Sequence, residues 1–256
     1  MKFGICTSIN NISALEKMGF DYIETGVAGV ASMSEDDFKA AVQLVNRSKI
    51  KCEACNGLFP PQIKLVGSGY SEGIMVDYLK KAFHRIVQLG AQTVVLGSGS
   101  SRMIPIDIGD GRNQLLNVFR VVGDIASEFG LIIAIEPLNK AETNIINSVK
   151  EGLDFVTELS HPNVYLLADF YHMRVENESM KVIMEAGLTI KHLHIANSNG
   201  RIYPRSVDED DYKEFFKALS VIGYNARLSI EGGTENMMAD GPVALSVLKT
   251  LYNMYT

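Results

Sequence analysis

The sequence predicts a (β/α)8 barrel of the α/β class, built as one domain over residues 1–256. Three observations carry this reading. Short apolar runs alternate eight times with longer amphipathic segments. Several of the short runs are near-continuous Ile, Val and Leu, as parallel strands covered on both faces require. The 256 residues divide into units of about 32, with no Pro- or Ser-rich linker between them. An open doubly wound sheet shares the alternation, but the count and the total length favour closure.

The elements follow in order. Strand one is 2–6 (KFGIC), with a helix over 12–18. Strand two is 22–25, and its helix, 34–46, begins Ser-Glu-Asp-Asp, acids at the positive end of the helix dipole. Strand three is 51–56. The next helix, 71–89, places Ile74, Tyr78, Ala82, Ile86 and Leu89 at three- and four-residue spacing and stops on Gly90. Strand four (93–96) leads to a helix over 114–129, and strand five (131–135) to one over 148–159. Strand six (164–168) precedes a helix over 179–185, whose Met180 and Met184 read as core. Strand seven is 190–196. The helix at 208–222 opens on Asp208-Glu209-Asp210-Asp211, read as a cap, and stops at Gly223. Strand eight (226–230) leads to the last helix, 242–252. Three long loops, 57–71, 97–110 and 197–207, all follow strands, where barrels of this kind carry their active sites.

Composition narrows the function classes. The net charge of −6 disfavours binding to nucleic acid or to an anionic membrane surface. No stretch approaches the ~18 apolar residues of a membrane span. The N-terminus, MKFGICTSIN, has no signal-peptide core and reads as part of the fold, so the cytoplasm is expected. Three cysteines (Cys6, Cys52, Cys55) are too few for a disulfide scaffold. Cys52 and Cys55 lack a second pair or a matching His. On a regular strand they point to opposite faces, so a structural role is expected. The run GSGSSR at 97–102 lacks the Lys-Ser/Thr of a P-loop and reads as a mouth-lining loop without an anion role.

Polar residues at the C-terminal ends of barrel strands point into the mouth. Strand five ends on Glu136, strand six on Asp169 and strand eight on Glu231. Strand seven carries His192 and His194, two apart and therefore on one face. His194 lies nearer the strand end and is the expected ligand of the two. Three carboxylates and one imidazole then converge, and such carboxylates repel unless protonated, paired or bound to a cation. One divalent metal ion resolves the conflict. Three oxygens and one nitrogen suit Mn²⁺ foremost, then Mg²⁺, Co²⁺ or Zn²⁺.

The runs Glu136-Pro137-Leu138-Asn139, Asp169-Phe170-Tyr171-His172-Met173, His192-Leu193-His194 and Glu231-Gly232-Gly233 resemble those of the xylose-isomerase-like barrel superfamily of sugar isomerases and epimerases. Within it, the sequence is similar to the ketose 3-epimerases of the tagatose/psicose (allulose) type, over essentially the whole chain. The resemblance implies that Glu136, Asp169, His194 and Glu231 hold one divalent metal. It makes Glu136 and Glu231 an acid/base pair on opposite faces of a ketose. Glu142 would contact the sugar near its carbonyl end, His172 its C2 oxygen, and Arg201 a hydroxyl, with Arg205 in the same loop as the alternative. The chemistry fits: a metal on the C2 and C3 oxygens stabilises the enediolate, one glutamate removes the C3 proton, and the other returns a proton from the opposite face. Relatives of this kind are often dimers or tetramers, so a homo-oligomer is implied.

The same site also suits an aldose–ketose isomerase acting on a hydroxypyruvate-type substrate, or an inosose-type dehydratase. These share the first proton abstraction and differ in where the proton returns. A more distant reading is a DNA-repair phosphodiesterase resembling endonuclease IV. That site needs three zincs and further histidines from earlier strands, where only His84 precedes His161. A non-catalytic sugar-binding relative is the third, and the intact glutamate pair argues against it.

Overall fold

The apolar runs fold as parallel strands: β1 (Lys2–Cys6), β2 (Tyr22–Gly26), β3 (Lys51–Asn56), β4 (Thr93–Leu96), β5 (Ile132–Ile135), β6 (Val164–Asp169), β7 (Ile190–Ile195) and β8 (Arg227–Ile230). They pair in chain order, and β8 returns to β1, closing the barrel. This is a computed structural model and describes residues 1–255. The helices are α1 (Ile12–Met18), α2 (Val27–Ser32), α3 (Glu35–Arg47), α4 (Glu72–Gln88), α5 (Gly99–Arg102), α6 (Gly111–Glu128), α7 (Val149–Leu159), α8 (Phe170–Val175), α9 (Lys181–Ala186), α10 (Tyr212–Val221) and α11 (Met237–Tyr255). Among the described residues, no helix is long and apolar enough to cross a membrane.

Strand residues alternate between the helix layer and the barrel interior. Phe3, Ile5, Val94, Leu96, Ile133, Ile135, Leu228 and Ile230 belong to the large core shared with the helices. Val95, Ala134 and Leu167 form a separate apolar cluster on the inward positions. Tyr22, Glu24, His192 and Ser229 fill the rest of the interior and are fully buried. Gly4 leaves room for them: a Cβ there would lie 2.6 Å from the Tyr22 ring. Two residues beyond Ala134, Leu167, His192 and Ser229 stand Glu136, Asp169, His194 and Glu231. The pleat therefore delivers all four to the layer above, at the mouth.

Several expectations are corrected. The buried face of α4 is Met75, Leu79, Ala82, Phe83 and Ile86, whereas Ile74 is 63% exposed. The stripe expected through Ile74 is thus one residue out of phase at its start. Met184 is likewise exposed, and only Met180 packs against the core. The run Asp208–Asp211 precedes α10 without capping it. Asp210 instead accepts from the Ser198 amide at 2.8 Å and pairs with Arg174, and Glu209 accepts from the Arg205 amide. Unpaired donors in the loop after β7 compete for those acids and take them. Cys52 and Cys55 are buried as expected, but their sulfurs lie 3.6 Å apart rather than on opposite faces. The register against β2 slips between Ile23 and Glu24, which pair with Cys52 and Ala54. Glu53 is the extra, bulged residue, and the bulge breaks the two-residue alternation. Short helices α2, α5 and α8 fill segments left as loops by the periodicity, and residues 136–148 form a fourth long loop after β5.

Candidate active site

Each residue of the mouth is held by its strand end. The Glu136 amide donates to the Leu96 carbonyl at 3.1 Å, and its own carbonyl accepts from buried Arg102 at 2.8 Å. Gly97 makes space for its side chain, since a Cβ there would sit 2.3 Å from Glu136 Oε2. Asp169 ends β6 opposite His194 in the register and caps α8, accepting from the Tyr171 amide at 2.7 Å. The Glu231 amide donates to the Ile195 carbonyl at 3.0 Å. One ligand atom from each of Glu136, Asp169, His194 and Glu231 lies within 4.8 Å of the other three. His194 Nδ1 faces Glu136 Oε1 at 2.9 Å and Glu231 Oε2 at 3.5 Å.

The electrostatics bear on what this cluster can hold. Burial, reinforced by Glu136 and Glu231, pushes the Asp169 carboxyl up to about 8. Burial and the neighbouring Glu231 also raise Glu136, against the pull of His194. Burial acts on Glu231 in the same sense, but His194, Arg201 and Asn56 outweigh it and hold that carboxyl at about 2. Asp169 Oδ2 is buried without a hydrogen-bond partner. An orphaned carboxylate oxygen, two crowded carboxylates and an inward imidazole nitrogen form the donor set of a divalent cation. The residues present fit such an ion.

The second ring around the cluster is polar. Asn139 donates its backbone amide to His172 Nδ1 at 3.1 Å. That nitrogen is therefore an acceptor, and the ring proton sits on Nε2, which is buried without a partner near Asp169. Burial keeps the His172 ring neutral, with its pKa near 4. Arg201 sits in a tight turn at φ +49° and donates to Glu231 Oε2 at 2.7 Å and Glu142 Oε1 at 3.1 Å. Its guanidinium stacks 4.7 Å from the centre of the Tyr171 ring. All seven sequence-predicted site residues thus meet at one mouth, and Arg201, rather than exposed Arg205, is the loop arginine that reaches it. His192 lies one layer below, bonded to Glu24 at 2.7 Å.

Sequence reasoning missed three neighbours. Asn56, at the end of β3, donates to Glu231 Oε1 at 2.8 Å. Asn139 donates to Glu142 Oε1 at 3.0 Å as well as to His172. Glu24, in β2, bonds His194 Nε2 at 3.0 Å. The strand-end rule that selected Glu136 applies equally to Asn56, whereas Glu24 is the middle residue of β2. Asn139 stands in a loop and carries no such signal.

Comparison with known proteins agrees with this architecture. Residues 12–251 match the family model described as xylose isomerase-like TIM barrel. A ketose 3-epimerase from Arthrobacter globiformis is 31% identical over 168 residues, 64% of this chain and 57% of that protein. The match therefore spans little more than half of that relative. A D-psicose 3-epimerase from Ruminiclostridium cellulolyticum is 27% identical over 87% of this chain and 79% of its own length. Both relatives are epimerases, enzymes of the isomerase class. A crystal structure of D-psicose 3-epimerase, determined in the presence of D-fructose, superposes with a TM-score of 0.87 at 20% identity, covering 98% of this chain and 99% of that one. At that identity the superposition speaks for the fold. The family-model match covers nearly the whole barrel, and the chain belongs to the xylose isomerase-like TIM barrel family.

Proposed function

We propose that this chain is a metal-dependent isomerase that epimerises a free ketose at C3. The convergence of Glu136, Asp169, His194 and Glu231, with ligand atoms within 4.8 Å of one another, is the observation that carries the reading. The epimerase names of its relatives support the same reaction. These four residues would hold one divalent ion, Mn²⁺ foremost; when bound, it would supply Lewis acidity for the negative charge that develops as the C3 proton leaves.

The chain's own groups do the rest. Glu136 and Glu231 reach the mouth from β5 and β8 and flank the sugar. One carboxylate takes the C3 proton, and the other delivers a proton to the opposite face, inverting that carbon. Arg201 and Asn56 restrain the two oxygens of Glu231 and fix its direction. The unpartnered Nε2–H of His172 donates to the C2 oxygen. Glu142, steadied by Asn139 and Arg201, accepts from a hydroxyl near the carbonyl end. The cytoplasm is the proposed compartment and a homo-oligomer the proposed assembly.

The three-zinc phosphodiesterase reading has little support here. Both metal-capable groups among the described residues share His194. His84 is exposed on α4, and His161 bonds Asp124. Incubating the Mn²⁺-loaded protein with D-tagatose, D-fructose, L-ribulose and hydroxypyruvate, then separating products by chromatography, tests the proposal. C3 epimers are expected. An aldose from a ketose, or a dehydrated product, assigns the isomerase or dehydratase reaction instead.

A further inference from the structure

We propose that Glu24 is a positioning residue for the metal centre: it holds His194 by Nε2, so that Nδ1 faces the ion. This rests on the metal-dependent reading above. Glu24 belongs to β2, on the far side of the barrel from Asp169, and has no exposed surface. It lies one layer below the mouth, outside the Glu136, Asp169, His194 and Glu231 cluster, and with Cys6 and His194 forms the second group whose ligand atoms lie within 4.8 Å of one another.

Both of its oxygens are spent on the barrel interior. Oε1 accepts from His194 Nε2 at 3.0 Å, and Oε2 accepts from His192 Nε2 at 2.7 Å. Ser229 also donates to Oε2, and its hydroxyl in turn receives the Tyr22 hydroxyl at 2.6 Å. A carboxylate this deep is costly unless donors surround it. The opposite side of the same interior is closed by Val95, Ala134 and Leu167, so an apolar filling is available to this fold. The donors around Glu24 instead converge on one geometry, in which the His194 ring has a single orientation.

That orientation has a chemical consequence. An imidazole that gives its Nε2 proton to a carboxylate keeps its Nδ1 lone pair for a metal, in one tautomer and one ring angle. His194 Nδ1 is the nitrogen that faces Glu136 and Glu231. Without Glu24, only the Cys6 sulfur, 3.9 Å away and a weak acceptor, stands at Nε2, and the ring is free to place its proton on Nδ1, where it excludes the ion.

The test is Mn²⁺ titration calorimetry on metal-stripped wild type, Glu24→Gln and Tyr22→Phe, paired with the visible spectrum of each Co²⁺-loaded protein. Glu24→Gln is expected to weaken Mn²⁺ binding about 10–100-fold, with an altered cobalt spectrum. Tyr22→Phe removes a hydrogen bond from the same interior without touching Glu24 or His194. It is expected to lower the thermal midpoint and leave affinity and spectrum unchanged, which separates positioning from general loosening of the core. If Glu24→Gln does not fold, Glu24→Asp keeps the charge but withdraws it from His194, and the same loss of affinity is expected. Wild-type affinity and spectrum in the folded Glu24 variant overturn the inference. A wild-type protein that binds no Mn²⁺ overturns the metal reading itself, a distinct result visible before any variant is compared.

Discussion

Glu136 and Glu231 arrive from strands three apart, yet both address Nδ1 of one histidine. In the proposed reaction neither is replaceable by its amide: glutamine keeps the volume and one oxygen but has no basic site for a carbon-bound proton. Glu136→Gln and Glu231→Gln are each expected to lower kcat about 10²–10⁴-fold, read as product formed per minute at saturating Mn²⁺ and ketose. Full activity in either variant removes that residue from the acid/base pair. At this scale the sequence is informative where a side chain is selected by strand position. Glu136, Asp169, His194 and Glu231 stand at strand ends in a legible order. Their partners are harder to see. Asn56 obeys the same rule and Glu24 stands within β2, but each occurs singly, and a lone polar strand residue has many explanations. The space that Gly97 leaves for the Glu136 side chain is invisible in sequence, because it depends on how the ends of two neighbouring strands meet.

At the scale of elements, β3 departs furthest from its sequence pattern. Regular alternation places Cys52 and Cys55 on opposite faces, and the bulge at Glu53 turns them together. A bulge is set by pairing with a neighbour distant in sequence, so alternation alone does not expose it. The bulged Glu53 also ties the lower rim, accepting from Lys2 of β1 at 2.6 Å and Arg227 of β8 at 2.8 Å. Burial pushes its carboxyl up, but Lys2 and Arg227 outweigh burial and hold it below the usual range. A depressed carboxyl contributes stability that is present above its unfolded value of about 4.3 and is lost as pH falls through the lower folded value. Glu53→Gln is therefore expected to cost about 1–3 kcal/mol at pH 7. The gap to wild type should close as urea melts are taken down from pH 5 to strong acid. A gap independent of pH assigns the effect to packing rather than to the ion pairs.

At the scale of the whole molecule, the barrel closes by burying apolar surface yet gathers three acids at its mouth that Arg201 and His194 offset only in part. Eight repeats and a length of 256 residues made the closed barrel legible, since repetition survives errors in any one helix. The tension at the mouth is a property of closure, because the curvature of the closed barrel turns the ends of β5, β6, β7 and β8 toward one point. Asp169 carries it most plainly, with one oxygen buried and unpartnered. Asparagine caps a helix as well as aspartate does and removes the charge that burial, Glu136 and Glu231 disfavour. In EDTA, Asp169→Asn should thus exceed wild type by about 1–2 kcal/mol, roughly 3–6 °C in Tm. Mn²⁺ at a hundred times its Kd should raise wild type by about 2.7 kcal/mol, or roughly 5–10 °C. The variant, having traded an anionic ligand for a weak amide, should gain little. The two melting curves are expected to exchange order when the metal is added. A variant less stable than wild type in EDTA, or a wild type indifferent to Mn²⁺, contradicts the idea that this fold gives up stability at its mouth to hold an ion.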